Sequence, residues 1–378
     1  MRNSEKNSFE GLPLALVREI LGKSGQIADD IFAPFHEIKS NRDKLREQLK
    51  ERNIIQNNPA TDGKESFTSC GIDGYYTVEK FLTSNLACST AFAVEGLIPP
   101  SGEKHWETPS HQAIFHTEKH YSETATILSA IMMEMEIELA AKAPQNIIFL
   151  NGSFITPFVT FMETIKLALE TKESITSQEF IKRIKPSILS FKNIFDSPNS
   201  DKMWVGIPKD TFKRELVNTL SWSQQYDDTI LFTLLLSPGE YTTPLPVEQS
   251  ELSRIRDIPI KDESIATVRD SVVSAVGKLH VVYYRPHSWT PVLRIEMDSS
   301  VSQNSSRLTG LLNTITFQCS SAGITEPYPV HCADNLVKYM DRAIPSLLKS
   351  ATSQITNVYK NDLGEIFPLI MFQDRNLE

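Results

Sequence analysis

Cysteine is scarce in this chain, with four among 378 residues. Cys70, Cys88, Cys319 and Cys332 are scattered, with no C-x-x-C pair and no zinc-ligand spacing. That excludes a disulfide framework and a structural zinc module, and leaves reduced, mostly buried thiols as the expectation. Long apolar runs are also missing. No stretch approaches the roughly 18 apolar residues that a membrane-crossing helix needs. The N-terminal MRNSEKNSFEG is polar and lacks the apolar core of a signal peptide, so a cytoplasmic location is expected. Nor is positive charge in excess. Thirty-eight Lys and Arg stand against 47 Asp and Glu, a formal net charge of −9. That argues against a protein that coats nucleic acid by bulk attraction.

What is present is an ordinary globular composition, 40% hydrophobic and 22% charged. The length suits one large domain with insertions or two smaller ones. Residues 1–60 read as an N-terminal helical arm: Leu14 to Leu21 has helical periodicity after Pro13, and Asn41 to Arg52 reads as a solvated helix with Arg42, Asp43, Lys44, Arg46 and Glu47 on its surface. Asn57 to Gly63 breaks the pattern, and residues 61–378 form the main domain. Three short segments follow (SFTSCGID, YYTVEKFLTS and LACSTAFAVEGL), with turns at Gly74 and Ser84–Asn85; a three-strand antiparallel meander fits them. A polar loop from Pro99 to about Ser110 leads to a long helix over Ser122 to Ala143, with an apolar stripe of Leu128, Ile131, Met132, Met135 and Leu139. Pro144 ends it, and Ile147 to Leu150 reads as a buried central strand.

The second half carries weaker signals. Phe158 to Thr171 reads as a helix, Lys172 to Lys202 as a polar region, MWVGI as a strand, and Asp227 to Leu236 as a helix or apolar strand. Pro238 to Pro246 marks a long loop. KLHVVYYRP and TPVLRIEM suit a hairpin, and Asp334 to Leu348 a last helix that Pro345 bends or ends. There is no internal repeat or low-complexity tract.

The order is therefore strand with acid, strand, strand, helix with acids, strand with a polar end. That is the order of an RNase H-like mixed α/β sheet flanked by helices. Its first and fourth strands lie side by side and aim their end residues at one spot. Such a spot suits phosphodiester hydrolysis, which is served by two Mg²⁺ or Mn²⁺ ions about 3.5–4 Å apart on converging carboxylates. Asp73 occupies the first-strand position; the bland alternative is that Asp73–Gly74 is a turn pair. Glu134, Glu136 and Glu138 lie on the helix. Glu136 and Glu138 flank the apolar stripe on opposite sides, with Glu134 beside Glu138, and periodicity does not choose among them. Asn151 stands where a metal site wants Asp, and offers one neutral carbonyl oxygen. His116 and His120, at i and i+4, would share a metal on a helix, but no third ligand is spaced to join them.

IDGYY (72–76) and IIFLNGSF (147–154) resemble the two DGS motifs of the NurA nuclease family. The resemblance spans about residues 60–345. It implies metal binding by Asp73 and by Asn151 in place of the second Asp, with Glu134 the best match to the helical acid and Glu136 the fallback. VGIPK (205–209) is similar to the segment carrying a functional Lys, which puts Lys209 in the site, and EPYPVHCADNLVKY (326–339) puts Asp334 at a fourth polar position. Arg294 and Glu296 also match family positions, and a structural ion pair is the expectation for them. The resemblance implies a metal-dependent deoxyribonuclease that uses Mn²⁺ or Mg²⁺. It further implies a homodimer with DNA and a HerA-type hexameric ATPase as partners, acting in DNA end processing or anti-phage defence. The alternative is a catalytically degenerate DNA-binding subunit of the same ATPase, marked by Asn151. An RNA-directed enzyme of the same fold is a third reading with no support beyond the fold.

Overall fold

The computed structural model describes residue 9 and residues 11–58, 66–81, 83–195, 201–209, 213–220, 222, 226–247, 255–256, 258, 263–358 and 364. Its centre is a sheet of ten described strands, in the order β1-β7-β9-β10-β6-β5-β2-β3-β4, with β8 set on β9. Strand β2 (Ser69–Lys80) pairs antiparallel with β3 (Asn85–Glu95), and β3 pairs with β4 (Ser110–Glu118). After helix α3 (Thr124–Lys142) the chain enters β5 (Ile147–Leu150), which lies parallel to β2, and β6 (Met203–Gly206) lies parallel to β5. This is the RNase H-like order. An antiparallel wing extends it: β10 (Leu293–Met297) on β6, then β9 (His280–Tyr284), β7 (Glu240–Thr242) and β1 (Ile55–Asn57), with β8 covering Leu245–Pro246.

Helices cover both faces, so the central strands bury both sets of side chains. In β5, Ile148 and Leu150 join a core built with Ile127, Leu128 and Ile131 of α3. The same core takes in α4 (Ile155–Glu170), α5 (Ile175–Phe195) and α8 (Glu263–Val276). Ile147 and Phe149 face the other way, onto Leu308, Leu311 and Ile315 of α10 (Ser305–Gln318) and Val330 of α11 (Tyr328–Val358). Cys70 and Ile72 belong to the α3 side, which turns Gly71 and Asp73 toward α11. Gly71 is glycine for a reason: a Cβ there would strike the backbone of Pro329 and Val330.

Several segments differ from the sequence expectation. The meander has three strands, but the first two expected segments are one continuous strand, β2, because Gly74 is paired with Ala91 inside it. The third strand is β4, between the expected polar loop and the expected long helix. Its alternate residues are exposed, so no continuous apolar run marks it. Residues 175–195 of the expected polar region are helix α5, which continues through Pro186. The last helix, α11, likewise runs through Pro345. In the Asp227–Leu236 stretch the helix alternative holds, as α7 (Asp228–Leu235), preceded by α6 (Glu215–Leu220). A short turn, α9 (Ser299–Ser302), leads into α10.

The arm is α1 (Leu14–Gly22) and α2 (Ser24–Glu51). None of α1 is buried, and Leu14, Leu21, Ile27 and Ile31 are exposed. The end of α2 is different: Leu49 and Ile38 enter the core, and Arg46 is no surface residue but makes a two-pronged pair with Glu240 at 2.7 and 2.8 Å. Cys70, Cys88 and Cys319 are buried, and none of the four cysteines is paired in a disulfide. Among the described residues no helix is long and apolar enough to cross a membrane.

Candidate metal and nuclease site

Asp73 sits in mid-strand, one residue past the point where Ile72 pairs with Leu150 at the end of β5. The chain leaving β5 turns through Asn151, whose N–H donates to Ile72 O at 3.0 Å. That bond ties the two strand ends together and brings the side chains to one place. Asn151 Nδ2 donates to Asp73 Oδ2 at 2.8 Å, and Gly74 N–H donates to Asp73 Oδ1 at 2.9 Å. With the amide turned this way Asn151 offers a donor; a half-turn puts its carbonyl oxygen at the same spot.

Glu136 arrives from the α3 layer. A Cβ on Gly74 would stand 2.7 Å from Glu136 Oε1, so the missing side chain is the gap through which this carboxyl nears Asp73. Glycine in the Asp-Gly pair therefore serves the packing of α3, not a turn. Burial pushes the Asp73 carboxyl up to about 6; hydrogen bonds from Asn151 and Gly74 and the Lys209 ammonium oppose that rise, and Asp334 adds to it. Burial, and then the charge of Asp73, raise Glu136 well above the usual carboxylate range. Glu136 has no hydrogen-bonding or oppositely charged partner among the described residues.

The structure does not bring Glu134 to Asp73. Two residues on a helix are about 200° apart, so Glu134 points away from Glu136, toward α5. It is fully buried, and burial raises its carboxyl well above the usual range, with Arg183, Glu179 and Glu138 as its charged neighbours. Glu138 lies on that same side, 3.5 Å from Arg183 Nη1. The acid beside Asp73 is the fallback residue, Glu136. Short sequence spacing misled here because the apolar stripe of α3 faces the sheet broadly, and only the gap at Gly74 decides which flank reaches Asp73.

Lys209 and Asp334 do meet near Asp73, but on each other. Lys209 Nζ lies 2.9 Å from Glu326 Oε2 and 3.4 Å from Asp334 Oδ1, and Lys338 Nζ lies 2.6 Å from Asp334 Oδ2. Burial raises the Asp334 carboxyl, yet Lys338 and Lys209 outweigh it and hold it below its ordinary value. Asp334 thus anchors two ammonium groups. Glu326 and Lys338 were not singled out from sequence; for Lys338 the i, i+4 spacing from Asp334 was the available signal, and for Glu326 there was none. His116 and His120 are not a helical pair: His116 lies on β4 against Thr176 Oγ1 at 2.8 Å, and His120 contacts Asn85 Oδ1 at 2.7 Å.

The NurA domain model matches residues 35–339. This chain belongs to the NurA family. Among solved structures, the NurA nuclease from Sulfolobus solfataricus is similar at a TM-score of 0.61 and 13% identity, covering 92% of this chain and 98% of that one. A NurA structure with manganese is similar at a TM-score of 0.50 and 13% identity, covering 87% and 98%. No curated protein matches. At such identities the likeness is one of fold, and the fold is that of a NurA nuclease. The side chains at the NurA-type position are two carboxylates and an amide, all oxygen donors of the kind a hard dication prefers. A carboxyl whose proton affinity is raised by desolvation and by the charge of Asp73, as at Glu136, also suits a cation that would relieve it. Among the described residues, no three His, Cys, Asp or Glu side chains converge as a metal cage.

Proposed function

We propose that this chain is a metal-dependent DNA nuclease whose Mn²⁺ or Mg²⁺ is held by Asp73, Glu136 and the carbonyl oxygen of Asn151. The observation that carries this reading is the pairing of acid against acid at Asp73 and Glu136, in the NurA fold, at the end of a central parallel strand pair. When bound, a divalent metal polarises a phosphate oxygen and lowers the pKa of a coordinated water. The chain's own part is to orient those donors and to place Lys209 and Lys338, two ammonium groups around Asp334, where a phosphate backbone would approach. Net acidity and the family resemblance support a HerA-type hexameric ATPase as the source of further DNA grip, in a cytoplasmic complex with a NurA homodimer. DNA end processing and anti-phage defence are both served by such a pair.

A second reading, a non-catalytic DNA-binding subunit of the same ATPase, is favoured by one observation: Asn151 donates to Asp73 where a second carboxylate would stand. The test is digestion of linear DNA with Mn²⁺, with and without the ATPase. Asp73→Ala and Glu136→Gln are expected to lose roughly a thousandfold in rate, since a bound metal supplies several kcal/mol of transition-state stabilisation. Glu134→Gln is expected to keep its rate. A parent protein inert under all these conditions would select the second reading.

A further inference from the structure

Buried charge lies two strands away from Asn151, and it ends in the loop that presents this residue. Glu296 is on β10, 1% exposed, opposite Gly206 of β6. Its Oε2 accepts from Ser153 Oγ at 2.8 Å and from Phe154 N–H at 2.9 Å. Its Oε1 accepts from Arg294 Nη1. Arg294 in turn donates from Nη2 to Glu215 Oε1 at 2.6 Å, and Tyr283 OH reaches Glu215 Oε2 at 2.6 Å.

Gly206 lets this happen. A Cβ there would stand 2.8 Å from Gly152 O and 3.3 Å from Glu296 Oε2, so a side chain on β6 would lift the loop off the sheet. Gly152 itself takes a φ of 154°, which only glycine adopts readily. The loop is thus held on one side by Asn151 N–H on β2 and on the other by Glu296 on β10.

Packing alone does not call for this. An ion pair buried this deeply gives little or no net stability over well-packed apolar residues of the same volume. A carboxylate with two donors from one loop, however, fixes that loop far more tightly than apolar contact does, because charge-assisted hydrogen bonds are short and directional. We infer that Glu296, acting through Ser153 and the Phe154 amide, is a positioning residue for Asn151, with Arg294 holding the Glu296 carboxylate in place. The inference rests on the reading that Asn151 faces a cation. Its chemistry is that of the outer groups that orient metal ligands, whose loss costs about 10–100-fold in affinity.

The experiment uses the full chain and Mn²⁺, with free ion read by electron paramagnetic resonance. Metal-free melting and hydrogen exchange over residues 151–154 accompany it. Ser153→Ala is expected to bind Mn²⁺ about tenfold more weakly, to exchange faster at Phe154 without metal, and to melt within a few degrees of the parent. Ser153→Thr, which keeps the hydroxyl, is expected to restore binding. In an Asn151→Ala background, Ser153→Ala is expected to change Mn²⁺ affinity no further. Glu296→Gln is expected to repeat the Ser153→Ala loss more strongly; if it fails to fold, the serine series decides alone. Unchanged affinity in Ser153→Ala, or a full further loss in the Asn151→Ala background, overturns the positioning role. A parent that binds no Mn²⁺ overturns the metal reading itself and this role with it, and the two failures are told apart by which protein shows them.

Discussion

The wing of the sheet and the face of α3 both bury charge, and they treat it in opposite ways. In the wing each buried ionic side chain has partners: Arg294 lies between Glu215 and Glu296, and Glu296 also holds Ser153 and Phe154. Along α3, Glu138 is paired with Arg183 and Lys142, but two other acids are bare. Neither oxygen of Glu134 meets a hydrogen-bond partner among the described residues, and Glu136 has only the like charge of Asp73 to face. A satisfied network is inert and serves as scaffold. An unsatisfied acid costs free energy until something neutralises it. Burial without a hydrogen-bond partner is thus shared by Glu134 and Glu136, and what separates them is that only Glu136 has the charge of Asp73 beside it.

The largest effect should come from breaking the satisfied side. Arg294→Met leaves Glu215 and Glu296 buried without their cation, and stability in urea is expected to fall by about 3–5 kcal/mol. A loss below about 1 kcal/mol would show that the wing's pairing carries little energy and that the contrast with α3 is only geometric.

Glu134 sharpens the other side. Its folded pKa is raised, so the fold favours the neutral acid. Its contribution to stability is then fully present below the unfolded value and is lost as pH rises toward the folded one. Glutamine stays neutral throughout. Glu134→Gln is expected to be more stable than the parent by about 1–3 kcal/mol at pH 8, with the gap closing near pH 4. Denaturation at both pH values measures it; a gap that ignores pH would place the cost elsewhere than in ionisation.

The smallest expected effect is at Asn151. Aspartate there removes the donor to Asp73 and adds a second negative charge. Without metal, Asn151→Asp should melt a few degrees lower; with Mn²⁺ it should bind about tenfold tighter, about 1.4 kcal/mol. Melting with and without Mn²⁺ reads both halves. Weaker Mn²⁺ binding would mean that the neutral amide serves a purpose a carboxylate cannot.

The chain's central architecture was readable because its signals are local: the apolar run Ile147–Leu150, the stripe on α3 and the β-branched hairpin of β9 and β10. β4 was not, since a strand with one face exposed and only Ala113, Ile114 and Phe115 apolar offers few residues to count. α5 was hidden by Pro186 and by a sequence polar enough to pass for a loop. At the site, Asp73 and Asn151 were legible from the strand order and the two DGS-like motifs, although Asp73 lies inside β2 and only Asn151 follows a strand end. Glu136 was not separable from Glu134, because the deciding fact is a gap at Gly74 seen only when α3 lies on the sheet. The partners of Lys209 come from a segment 117 residues further on, Glu326, and no pattern in the sequence links the two.

One small element has a disproportionate consequence. β1 is three residues long, and it caps the open edge of the wing by pairing with β7, while Arg46 two turns earlier clasps Glu240 on that same strand. A chain shortened to begin at residue 61 would lose the cap and the clasp together. The row of unpaired amides and carbonyls on β7 would then be free to recruit a strand from another molecule, which is how sheet edges seed aggregation. Where one divides arm from domain thus sets whether the remainder stays in solution as a discrete particle.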